Sequence, residues 1–177
     1  METLRDHLEE LEVLETASDR GFLFRRQGPR PRTPLSIPHL QMNQWPPENL
    51  VDRLLECSLH LEHVRPKESR MATRGSCALW LPDSYAGGPP DAFIDQNEFC
   101  HLHPVPEGSV HLTLPAPLRE RAIELGWAEQ HSAVRSGAMR ETLVTVYAPR
   151  DGNELSAVFR LIRFSWRFAR GIPAPQS

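Results

Sequence analysis

An α+β fold, a central antiparallel sheet with helices packed on it, is what this 177-residue sequence predicts, and three observations predict it. Short strand-like segments cluster in the middle of the chain. Two of them, Phe99 to His103 and Ser109 to Leu114, are joined only by the turn sequence Pro104-Val105-Pro106-Glu107-Gly108, so they run antiparallel as a hairpin. Amphipathic helical patterns stand on either side of this group. The length suits one domain with a sizeable core.

Taken in order, residues 2–19 carry seven acidic groups and one Arg, with Leu4, Leu8, Leu11 and Leu14 on one stripe, which predicts an acidic amphipathic helix. From Arg20 to Arg32 there are five arginines and no acid, and prolines punctuate the chain from Pro29 to Pro47. Residues 1–47 are therefore expected to form a helix plus an Arg/Pro-rich strap, wrapped on the domain or docked on a partner or a second copy. The folded domain is expected over residues 48–172, with a disordered tail over 173–177.

Within the domain, Pro46-Pro47 opens a helix whose buried face is Leu50, Val51, Leu54, Leu55 and Leu59, ending near His60. Strands are expected at Ser76 to Leu81, Ala92 to Ile94, the two arms of the hairpin, and Thr142 to Tyr147. Pro117 to Leu125 reads as a short helix closed by Gly126. Asp151 and Glu154 form a capping box for the clearest helix, with the stripe Leu155, Val158, Phe159, Ile162 and Trp166. Arg163, Arg167 and Arg170 suit the negative end of its dipole, and Gly171 then Pro173 stop it.

Composition narrows function. Twenty basic against twenty-three acidic residues leave a net charge of −3, so nothing attracts nucleic acid or anionic lipid as a whole. Apolar runs are too short to span a bilayer and the N-terminus is too acidic for a secretory signal, so a cytoplasmic location away from membranes is expected. Cys57, Cys77 and Cys100 are too scattered for a disulfide framework. No nucleotide-binding glycine motif, Walker motif or serine-hydrolase elbow is present, so no nucleotide cofactor is expected.

The histidines carry the chemistry. On a strand, His101 and His103 share a face while Cys100 and Leu102 take the other. If residues 104–108 are the loop, His103 pairs with Ser109 and His101 with His111, and three imidazoles converge. Such a set suits Zn, Fe, Mn, Ni or Cu with open positions for water, O2 or substrate. A one-residue slip would throw His111 to the opposite face. Glu98 has the wrong parity on a regular strand and joins only through a bulge, or as a partner behind a ligand. His131 follows the short helix and could return as ligand or general base. Neutral histidines in half-buried strands also serve simply by hydrogen-bonding carbonyls. Trp127, Phe99 and Tyr147 are candidates for a substrate-binding wall or for core, and Arg150 for meeting an anionic substrate group or for a structural ion pair.

Several strings taken together resemble the luciferase-domain family: Trp80-Leu81-Pro82, Gly88-Pro89-Pro90 with Ala92-Phe93, Glu98-Phe99-Cys100-His101-Leu102-His103-Pro104, Gly108-Ser109-Val110-His111-Leu112, Gly126-Trp127-Ala128-Glu129 with His131, Tyr147 with Pro149-Arg150, and Phe168-Ala169-Arg170-Gly171. The likeness runs from about Leu50 to Gly171, and Glu98, His101, His103, His111, Trp127 and His131 match the pattern, with Cys100 where a small residue such as Ala would be expected. The resemblance implies an enzyme that brings O2 to an electron-rich hydroxypyrone, forming a high-energy peroxide that loses CO2. Three readings follow: an oxygenase of specialised metabolism, with or without a metal; a metal-dependent Lewis-acid hydrolase, isomerase or cyclase; and a non-catalytic module binding a ligand or partner.

Overall fold

The fold is described by a computed structural model over residues 23–173; the expected acidic helix at 2–19 and the tail from 174 lie outside the described residues. The elements run α1 (Glu48–Leu59), β1 (Arg65–Glu68), β2 (Cys77–Trp80), β3 (Glu98–Leu102), β4 (Val110–Thr113), α2 (Ala116–Glu124), β5 (Ala128–Gln130), α3 (Ser132–Arg135), β6 (Leu143–Val146) and α4 (Gly152–Arg170). Six strands form one sheet in the order β1-β2-β3-β4-β6-β5, every pair antiparallel. This is the α+β class that the sequence predicts.

Helix α4 is built as its sequence dictates. The Asp151 side chain accepts from the Glu154 N–H at 2.9 Å, and the helix ends at Gly171, whose φ of +70° suits a residue without Cβ. Glu154 reaches back to the Arg150 N–H at 3.0 Å. The stripe Leu155, Val158, Phe159 and Ile162 is buried against Cys100, Leu102, Leu112, Val144 and Val146 on one face of the sheet, joined by Leu54 and Cys57 of α1. At about 1.5–3 kcal/mol for each fully buried large aliphatic side chain, this face carries the larger share of the apolar stabilisation among the described residues. The opposite face is free to be polar.

One expected strand is corrected. At Ala92 to Ile94, Pro89 and Pro90 set a 3₁₀ turn over Pro90–Ala92, and beyond it only a single bridge, Asp95 to Glu98, forms. Two strands have no sequence signal: β1, exposed throughout as Arg-Pro-Lys-Glu, and β5, three residues long.

Register sets out a row across the polar face. Ala78 pairs with His101, His101 with His111, His111 with Thr145, and Thr145 with Glu129. The proline-rich strap lies over this row. Its backbone has few regular partners, as its prolines require, and side chains tie it down. Gln41 N–H donates to Glu107 Oε1 at 2.6 Å, Gln41 Oε1 accepts from the Ala148 N–H at 2.9 Å, and Trp127 Nε1–H donates to the Phe24 carbonyl at 2.6 Å. Arg25 and Arg30 donate to carbonyls of Glu124 and Ile123 at the end of α2, where the helix leaves acceptors unpaired.

Candidate metal centre

The β3–β4 hairpin fixes the histidines. His101 lies directly opposite His111, and the His103 N–H donates to the Ser109 carbonyl at 3.0 Å at the mouth of the turn. The three rings meet edge to face, with centroids 4.8 Å apart for His101 and His111, 4.6 Å for His103 and His111, and 5.2 Å for His101 and His103. All three are buried, and one nitrogen from each lies within 4.8 Å of the others.

The outer nitrogens decide what the inner ones can do. His111 Nε2 lies 2.9 Å from the His39 carbonyl, which can only accept, so Nε2 carries the proton and Nδ1 faces inward with its lone pair. His101 Nδ1 lies 2.6 Å from Glu98 Oε1, so it donates to the carboxylate and Nε2 is left with a lone pair. His101 Nε2 and His111 Nδ1 are 2.9 Å apart. Two lone pairs at that distance repel unless a cation stands between or beside them. His103 Nδ1 bonds the hydroxyls of Thr73 at 3.1 Å and Ser76 at 3.0 Å, and its Nε2 lies 3.5 Å from His111 Nδ1. A metal-binding histidine is held in this way, its far nitrogen spent on an oxygen and its near nitrogen bare.

An extra proton is disfavoured in that place. Burial, reinforced by His101 and His131, pushes His103 down to about 3. His111 lies well below the ordinary imidazole value for the same reasons, with His101 and His103 as its nearest like charges. The donor set fits a divalent transition metal: three imidazoles with their outer nitrogens anchored, and the Glu98 carboxylate behind His101.

Glu98 reaches the site through a bulge. Leu79 pairs with Cys100 but Trp80 pairs with Glu98, so Phe99 is the extra residue and the side-chain alternation shifts by one. Glu98 is wholly buried, and Ser69 Oγ donates to its Oε1 at 2.8 Å. Its Oε2 has no hydrogen-bond partner among the described residues.

A pocket of about 540 Å³ opens over the triad. His131 lines it together with His39, the three triad histidines and Thr73, and the remaining wall is apolar, including Ile37, Met71, Ile94, Met139 and Leu143. His131 is the N-cap of α3, its Nδ1 accepting the Ala133 N–H at 3.1 Å. Its ring stands 4.5 Å from that of His111, and burial with neighbouring His39 pushes it down to about 4. His39, from the strap, had no signal in the sequence beyond being the strap's one histidine. It is held from both sides, Nδ1 accepting from the Ser132 N–H and the Thr145 hydroxyl, Nε2 lying 2.8 Å from Glu129 Oε1.

The other candidate residues lie elsewhere. Trp127, Phe99, Tyr147 and Arg150 do not line the pocket. Trp127 and Phe99 are wholly buried in the core, Trp127 edge to face with Phe24 at 5.1 Å. Tyr147 is buried near Glu129, and burial together with that carboxylate pushes its phenol up to about 12. Arg150 makes a fork with Glu154 and donates to the Gln27 carbonyl. The geometry unites Glu98, His101, His103, His111 and His131, and separates these four from them.

A buried histidine triad on the polar face of an antiparallel sheet, closed over by a strap and opening to an apolar pocket, defines the class: a candidate metal centre for a small molecule. Residues 96–165, which contain the triad, Glu98 and His131, match the luciferase domain family. The chain is similar to the luciferases of Armillaria gallica, Armillaria ostoyae and Armillaria mellea, 24% identical in each case over 84% of this chain. It spans about 62% of the length of these curated relatives. No solved structure matches it. No helix among the described residues is long and apolar enough to cross a membrane.

Proposed function

We propose that this chain is a small-molecule enzyme in which His101, His103 and His111 hold a divalent transition metal, and that it uses O2 on an electron-rich, enol- or pyrone-like substrate. The observation that carries the proposal is the pair of bare nitrogens, His101 Nε2 and His111 Nδ1, 2.9 Å apart with their outer partners satisfied. A bound metal would supply Lewis-acid polarisation and, if redox-active, an electron path to O2. Zn²⁺ supplies only the first.

The chain's own residues do the rest. Glu98 fixes the ring of His101 and makes it a better ligand; the Thr73 and Ser76 hydroxyls and the His39 carbonyl do the same for His103 and His111. The apolar wall excludes water from the reacting end of a bound molecule, and a pocket of about 540 Å³ suits a small organic substrate. Among the described residues no Lys or Arg lines it, so the polar end of a substrate is drawn to the histidines. The O2 reading is supported by the likeness to proteins named luciferases.

Oxygen uptake tests it. Metal-loaded protein is presented with a panel of electron-rich enols and hydroxypyrones in an oxygen electrode, beside His101→Ala. Uptake that needs both substrate and His101 is expected. Conversion of a substrate without oxygen consumption would replace this reading by a Lewis-acid enzyme.

A further inference from the structure

Among the described residues, His131 is engaged at one nitrogen only. Its Nδ1 accepts the Ala133 N–H at 3.1 Å. A backbone N–H can only donate, so Nδ1 holds a lone pair and the proton of the neutral ring sits on Nε2. No described residue accepts a hydrogen bond from that nitrogen. The neighbouring rings offer no acceptor. His39 has Nδ1 filled by Ser132 and Thr145 and Nε2 turned to Glu129, while His111 has Nε2 on the His39 carbonyl and Nδ1 turned into the triad. His131 nonetheless lines the pocket, with its ring 4.5 Å from that of His111.

The charge of the pocket points the same way. Among the described residues no carboxylate lines it: Glu98 stands behind His101, and Glu107 Oε2 lies 3.9 Å from His103 Nδ1 on the far side of that ring. With a divalent ion in the triad, no negative group among the described residues would face it from the pocket side. A ligand carrying one negative charge beside the metal would be favoured.

We propose that His131 is a fixed hydrogen-bond donor, through Nε2–H, to an anionic or strongly polarised oxygen of the ligand held beside the triad, an enolate or carboxylate oxygen in chemical class. It acts there as oxyanion donor and not as general base, because the nitrogen that would take a proton is already capped. The charge argument rests on the metal reading above; the position of the proton does not.

Two variants separate the donor from the cap. His131→Asn keeps a strong N-cap and removes the donor; His131→Gln places an amide N–H near the position of Nε2. Nitrogen-15 NMR of the metal-free wild-type protein is expected to find the His131 proton on Nε2, and a proton on Nδ1 would overturn the proposal. Azide, a small monoanion, is then titrated into cobalt-loaded protein and followed by visible absorption. About tenfold weaker azide binding is expected in His131→Asn, with most of the loss restored in His131→Gln. Equal affinity in wild type and His131→Asn would overturn the proposal. If cobalt does not bind, the metal reading falls and the NMR result alone decides the donor.

Discussion

Glu98 and His101 are three positions apart on one strand, and their side chains still meet, Glu98 Oε1 lying 2.6 Å from His101 Nδ1. On a regular strand they would point to opposite faces; the bulge at Phe99 brings them to the same one. The carboxylate holds the ring with Nε2 inward. Replacing it with the neutral amide in Glu98→Gln should weaken metal binding by about 10–100-fold. Calorimetric titration of metal into both proteins measures this, and unchanged affinity would show that Glu98 does not orient the ligand.

Acid should destabilise the protein through the same cluster. His103 at about 3 and His131 at about 4 lie below the 6.5 of an unperturbed histidine. Between those values and 6.5 the unfolded chain holds protons that the folded chain does not. Their contribution is therefore complete above about 6.5 and is lost as the pH falls through 4 and then 3. Each such proton accounts for up to about 1.4 kcal/mol per pH unit. Thermal melts of metal-free wild type and His131→Asn should diverge between neutral pH and pH 4, the variant losing less; parallel curves would contradict the assignment.

Gly108 closes the hairpin loop with a φ of +66°, and a Cβ there would lie 2.5 Å from Pro46 Cγ and 2.9 Å from Val51 Cγ2. Both the backbone and the contact with strap and α1 need glycine. Gly108→Ala should cost about 1–3 kcal/mol of stability, read as a lower midpoint in urea unfolding. Since the loop sets the register that unites His103 and Ser109, metal affinity should fall as well.

Arg150→Ala offers a contrast. Arg150 is bound to buried Glu154 and to the Gln27 carbonyl, away from the pocket. Its loss should lower stability by about 1–2 kcal/mol and leave metal affinity unchanged within about twofold. A large fall in affinity with intact stability would place Arg150 in the chemistry.

The triad was legible in the sequence because its geometry is local. A five-residue loop between two alternating segments admits one register that puts His101 opposite His111, and that is the register found. The parity of Glu98 announced the need for a bulge for the same reason. His39 was not legible, since its place depends on where a strap without periodicity lands, which Gln41, Glu107 and Ala148 settle through tertiary bonds. Trp127, Phe99 and Arg150 carry signals that serve core and ion pair as readily as a site. Ile94, Met139 and Leu143, brought together from separate loops and strands, form a wall that no single window of sequence displays.

In the proposed metal centre His101, His103 and His111 form one ligand set. Elemental mass spectrometry of untagged protein, purified without chelators, beside single alanine variants at the three positions, tests it most directly. Close to one equivalent of Fe, Cu, Mn, Ni or Zn is expected in the wild type, with its loss in all three variants. Metal-free protein that stays metal-free after anaerobic reconstitution, or metal that persists in the variants, would contradict it.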